Sequence, residues 1–146
     1  METSTIVILE ALTRVGTQEY AGKVNNNPLI VKWIKKLIPS VTEDEVSWCS
    51  AAAFSVIETA LPEADLSMVN ASARSWLKYG EATTEPIPGD VVIFWRESLE
   101  SWKGHVSFFV KETDKYIWVL GGNQGNSFNI SPYEKSRLLG YRRHIA

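Results

Sequence analysis

After Pro86 the hydrophobic period of the chain changes once, and that change restricts the possible folds more than any other feature. Upstream of it, apolar residues recur at helical spacing. Ile6, Leu9 and Leu12 form one stripe within residues 4–15, which Gly16 closes. Asn27-Pro28 offers a cap and a first-turn proline for a second helix carrying Leu29, Trp33, Ile34 and Leu37, and Pro39 ends it. A third helix runs from about Cys49 to Pro62. Either Thr42-Glu43-Asp44-Glu45 forms a capping box before it, or Ser47 caps it and places Cys49 in the first turn. Asn70 or Ser72 caps a short helix through Tyr79, closed by Gly80. Downstream, Ile87-Pro88-Gly89-Asp90 is turn chemistry, and strands are expected at 91–95, 105–111, 116–120, 128–130 and 138–143. Their connections are short enough for antiparallel pairing. Helices followed by strands predict an α+β fold, with N-terminal helices packed on a C-terminal antiparallel β-sheet.

At 146 residues the chain has enough material for one core, so residues 1–146 are read as a single domain. Hydrophobic residues make up 45% and charged residues 22%, which excludes a disordered chain, and no apolar run approaches the roughly 18 residues of a membrane span. A net charge of −2 leaves no field to attract nucleic acid. The start carries an acid where an export signal is basic, and Glu10 interrupts its apolar run, so synthesis without a signal peptide is expected. One cysteine and two histidines allow neither an internal disulfide nor a cysteine metal cage, and no cofactor or metal is expected. The six tryptophans serve packing or line a groove.

Chemistry then narrows to Cys49 and a partner. A thiol in the first turn of a helix meets free amides and the positive end of the dipole, both of which favour thiolate; an inert core thiol is the alternative. His105 opens a strand in which Ser107 and Phe109 share its face, behind Gly104. His144 is expected to be a solvated residue of the tail. A general base needs a third group to fix its tautomer. If Lys111 faces Tyr116 across the hairpin, His105 faces Gly122, and a slip of one or two residues brings Asn123 or Gln124 opposite it. A bulge at Gly121-Gly122 would turn either amide inward.

These residues resemble a known group, the NlpC and CHAP families of papain-like cysteine peptidases and amidases that cut peptide parts of peptidoglycan. The resemblance spans nearly the whole chain. It rests on Ser47-Trp48-Cys49-Ser50-Ala51, Ala73-Arg74-Ser75-Trp76-Leu77, Pro88-Gly89-Asp90-Val91-Val92, Gly104-His105-Val106 and Leu120-Gly121-Gly122-Asn123-Gln124, in that order. Ser136 to Arg142 also resembles the closing strand of a phage-associated branch. Ala52-Ala53 departs from the pattern, where bulkier residues are expected.

The resemblance implies a papain-like fold and acyl transfer, with Cys49 as nucleophile, His105 as base and Asn123 as the orienting group, Gln124 being the second choice. It implies a substrate groove near Gln18, Glu19, Tyr20 and Trp48, with Arg74 or Glu19 as contacts for charged groups of wall peptides. The expected substrate is a peptidoglycan peptide, reached after holin-dependent or secretion-dependent release, with no membrane insertion; whether an immunity or delivery protein exists is left open. Two other functions fit the same residues: a silent wall-binding or virion structural module, and an acyltransferase in which an amine replaces water.

Overall fold

The computed structural model describes residues 2–20, 26–40 and 47–145. Three helices precede the sheet: α1 (Thr3–Leu12), α2 (Pro28–Lys35) and α3 (Cys49–Ala60), followed by a 3-10 turn at Ala73–Lys78. Six strands follow: β1 (Glu81–Thr83), β2 (Val91–Trp95), β3 (Gly104–Glu112), β4 (Tyr116–Gln124), β5 (Ser127–Glu134) and β6 (Leu138–Arg143). All pair antiparallel, in the order β1-β6-β2-β3-β4-β5. The α+β class expected from the change of period is what the chain adopts.

α2 starts as expected, because the Asn27 side chain accepts a hydrogen bond from the Leu29 amide at 3.0 Å and Pro28 occupies the first turn. α3 differs. Its cap position is Trp48, and no side chain caps it. The capping box at 42–45 lies outside the described residues. β1 carries no apolar alternation and was not expected; it forms because Glu81–Thr83 lies against the closing strand, pairing with Tyr141–Arg143.

The main core lies between the helices and one face of the sheet. Val7, Ile30, Trp33, Trp48, Val56 and Ile57 meet Val91, Ile93, Val106, Phe108 and Leu120 there. Trp48 is fully buried and tilts against Trp33 at 6.0 Å, and Trp33 meets Phe128 edge-on at 6.2 Å. The tryptophans of this cluster therefore serve packing, and truncating one such ring costs about 3–5 kcal/mol. A smaller cluster of Val92, Phe94, Phe109, Ile117, Val119 and Tyr141 covers the opposite face.

His144 corrects the expectation of a solvated tail. It is 5% exposed; its Nε2–H donates to the Gly89 carbonyl at 2.8 Å, and its Nδ1 accepts from the Tyr79 hydroxyl at 2.6 Å. Burial holds its pKa below the ordinary value, although the Gly89 carbonyl and the Asp90 charge pull the other way. The Pro-Gly turn before β2 creates the acceptor, and helical or strand periodicity reveals nothing of such a pairing across 55 positions.

Candidate active site

Cys49 is the first residue of α3, so its own amide belongs to the first turn, whose N–H groups have no intrahelical partner. Without a side-chain cap, those amides and the helix dipole act on the sulfur. Ser50, immediately behind, accepts from the Trp76 indole at 2.9 Å and donates to the Asn70 carbonyl at 2.6 Å, tying the start of α3 to the 3-10 turn. Ser47 does not cap the helix, a correction to its expected role. Its hydroxyl instead accepts from the Asn123 amide at 3.4 Å and helps hold the Cys49 thiol below its usual value. Burial alone would push the Cys49 thiol up, but the His105 hydrogen bond, the His105 charge, the Val106 amide and the Ser47 hydroxyl together hold it below the usual thiol value.

His105 is 2% exposed, and its Nε2 has two hydrogen-bonding neighbours. It lies 2.9 Å from Gln124 Oε1 and 2.7 Å from Ser107 Oγ. The Ser107 hydroxyl donates to the same Gln124 oxygen at 2.6 Å. Both neighbours of Nε2 are thus acceptors, which places the neutral ring's proton on Nε2 and leaves the Nδ1 lone pair for the thiol. Tyr133 stacks on the imidazole at 4.7 Å, and its own hydroxyl is pushed up to about 12 by burial and the Cys49 charge, against the opposing pull of Arg96.

Gln124 takes the orienting position for which Asn123 was preferred. The reason lies in the backbone. β4 pairs with β3 through a register shift between Phe109 and Lys111 that leaves Phe108 opposite Leu120, and against β5 it bulges between Gly121 and Gln124. Asn123 sits in the bulge with φ 58°, and its amide nitrogen donates to the Ser47 hydroxyl at 3.4 Å. Gln124 is turned inward, and its nitrogen donates to the carbonyls of Val119 at 3.2 Å and Asn129 at 2.8 Å. Those two carbonyls dictate which end of the amide meets His105. Gly121 is required here, because a Cβ would collide with Ser107 and lie 3.2 Å from Gln124 Oε1.

The other expected contacts separate. Trp48 is a correction: with no exposed surface it cannot line a groove, and it wedges α3 against β4 instead. Arg74 is also a correction. Its guanidinium donates to the carbonyls of Ser98, Leu99 and Lys103 at 2.8–2.9 Å, so it organises the loop before β3. Glu19 and Tyr20 follow α1 beside β5, where the Glu19 amide donates to the Asn126 carbonyl at 2.9 Å. Neither is among the residues lining the hollows at the site.

Two hollows flank the cysteine and histidine. One, of about 180 Å³, is lined by Cys49, Ser47, Ser72, Arg96 and Trp102; the other, of about 310 Å³, by His105, Asn123, Tyr133, Arg96 and Arg137. Trp102 is 73% exposed. The sequence reading missed Ser107, Asn129, Tyr133 and Arg96. Only Ser107 had a usable signal, since alternation puts it on the same face as His105. Among the described residues no group of three or more metal-ligating side chains occurs, nor is any helix long and apolar enough to cross a membrane.

No protein-family model matches the chain, and no curated protein matches it.

Proposed function

We propose that this chain is a cysteine hydrolase of the papain-like NlpC and CHAP type, acting on peptide or amide bonds of peptidoglycan. The observation that carries the reading is one arrangement: an uncapped helix start bearing a thiol that the neighbouring His105 holds below its usual pKa, with the Nε2 of that imidazole locked by Gln124 and Ser107. In the mechanism His105 Nδ1 takes the Cys49 proton, and the sulfur attacks the carbonyl carbon. The carbonyl π pair moves to oxygen, facing the Cys49 amide. Collapse re-forms the carbonyl and expels the amine, which takes the proton from His105 and leaves a thioester. Water then adds to the thioester, giving its proton to His105, and the thiol leaves reprotonated. Gln124 holds the ring through both halves. Delivery to the wall by a holin or a secretion system, as the resemblance implies, belongs to the same proposal.

Cys49→Ala and His105→Ala should each lower turnover on purified wall by at least about a thousandfold while leaving the circular dichroism spectrum intact. Iodoacetamide should label Cys49 near neutral pH and stop wall clearing. Mass spectrometry of the released muropeptides, with and without an added amine, separates hydrolysis from transfer. The 2% exposure of Cys49 is what favours the second reading, a silent wall-binding module. Comparable clearing by Cys49→Ala, or a thiol that resists iodoacetamide, would overturn the hydrolase.

A further inference from the structure

Arg96 lines both hollows, the one holding Cys49 and the one over His105. It is exposed, and its guanidinium has no hydrogen-bond or ion-pair partner among the described residues. The acid next to it, Glu97, turns away at φ 71° and is held by Lys103 at 2.8 Å. Arg137 stands on the rim of the second hollow, its guanidinium 4.9 Å from the centre of the Trp95 ring and its Nε 4.0 Å from the Glu134 carboxylate, so its charge is already compensated and Arg96 is left as the unpaired cation. Among the described residues no aspartate or glutamate lines either hollow. The remaining polar walls include the donor-bearing amides of Asn123 and Asn126. A guanidinium left uncompensated beside a nucleophile, in a cleft rich in donors, is built for a carboxylate, which its planar fork binds through two parallel hydrogen bonds.

We infer that Arg96 is the substrate's anion-recognising contact, and that this enzyme selects peptides carrying a free carboxylate within about two residues of the bond it cuts, roughly 7 Å along an extended chain. The inference rests on the reading of the site as a cysteine hydrolase. Neutral, amidated versions of the same peptide bind without that contact and have a higher KM.

The test compares alkylation of Cys49 by iodoacetate, which bears a carboxylate, with alkylation by iodoacetamide, its neutral analogue. The ratio of the two rates cancels differences in thiol ionisation and includes the same attraction from His105 in every protein. Arg96→Gln should lower that ratio about three- to tenfold, and Arg96→Lys should lower it less, since the charge remains and the fork is lost. Lys115→Gln, in the turn between β3 and β4, should leave the ratio as it is. Matched peptides with a free or an amidated carboxylate should differ in KM by a similar factor in the wild type and converge in Arg96→Gln. An unchanged ratio in Arg96→Gln, with iodoacetamide still labelling Cys49, overturns this inference and leaves the hydrolase standing. A wild-type thiol that iodoacetamide does not touch overturns both.

Discussion

At the scale of single residues, the side chain of Gln124 has its nitrogen on two backbone carbonyls and its oxygen on His105 and Ser107. Asn129 closes the arrangement, donating to the Gln124 carbonyl at 2.7 Å. An acceptor alone would let the amide flip; the two carbonyls forbid it, since a flipped amide would set oxygen against oxygen. Gln124→Ala should therefore lower kcat about 10- to 100-fold with a smaller change in KM, because the imidazole loses orientation while the cleft keeps its shape. The pH dependence of iodoacetamide labelling gives a second reading of the same contacts. With the thiol held below its usual value, labelling should stay fast below the ordinary thiol range, and in His105→Ala, which loses the main lowering contact, it should shift upward in pH. The sequence exposed Cys49 and His105 because each is nearly the sole representative of its type. It left Asn123 and Gln124 undecided because one bulged residue exchanges their directions, and bulges leave no composition beyond Gly-Gly.

At the scale of elements, the approach of α3 to β4 depends on small residues from both sides. A Cβ at Gly122 would lie 2.5 Å from Trp48 Cζ3 and 2.7 Å from Ala52 Cβ. Ala52 is small where a glycine-bearing strand lies directly against the helix. Gly122→Ala should destabilise the protein by about 1–3 kcal/mol, read as a lower midpoint of urea unfolding, and it should slow wall hydrolysis as the start of α3 is pushed off the sheet. Strand positions 91–95 were legible because a β-branched and aromatic run there follows a Pro-Gly turn, whereas 138–143 match to the residue although Leu-Leu-Gly-Tyr-Arg-Arg holds no β-branched residue. β4 and β5 extend four residues beyond their expected ends, to Gln124 and Glu134. Those extensions contain Gly-Gly-Asn-Gln and Ser-Pro-Tyr-Glu, which read as loop by composition and are held as strand by cross-strand hydrogen bonds.

For the molecule as a whole, the buried His144 links stability to pH. Its folded pKa lies below the value of about 6.5 expected in the unfolded chain, so the unfolded state binds the proton first as the pH falls. Its contribution is full above about pH 6.5 and is lost as the pH drops from there through the folded pKa. Thermal melts should show a Tm that is level above neutrality and declines below it. His144→Gln, which keeps one acceptor for Tyr79 and one donor for Gly89 but does not titrate, should remove this part of the decline. The α+β order was visible from the period change alone, whereas the seating of His144 was not, because a residue's burial near a chain end depends on partners 55 and 65 positions away.

The turn before β2 has one more property. The buried carboxylate of Asp90 accepts from the Ser4 hydroxyl at 2.5 Å and from Arg143 at 2.8 Å, while His144 holds the carbonyl of the preceding glycine. Residues from the two extremes of the described chain are thus fastened to a single point on the sheet. A short covalent bridge between them, with the polypeptide reopened at the exposed turn after β3, would give a rearranged gene whose product needs no new contacts to reach the same three-dimensional form.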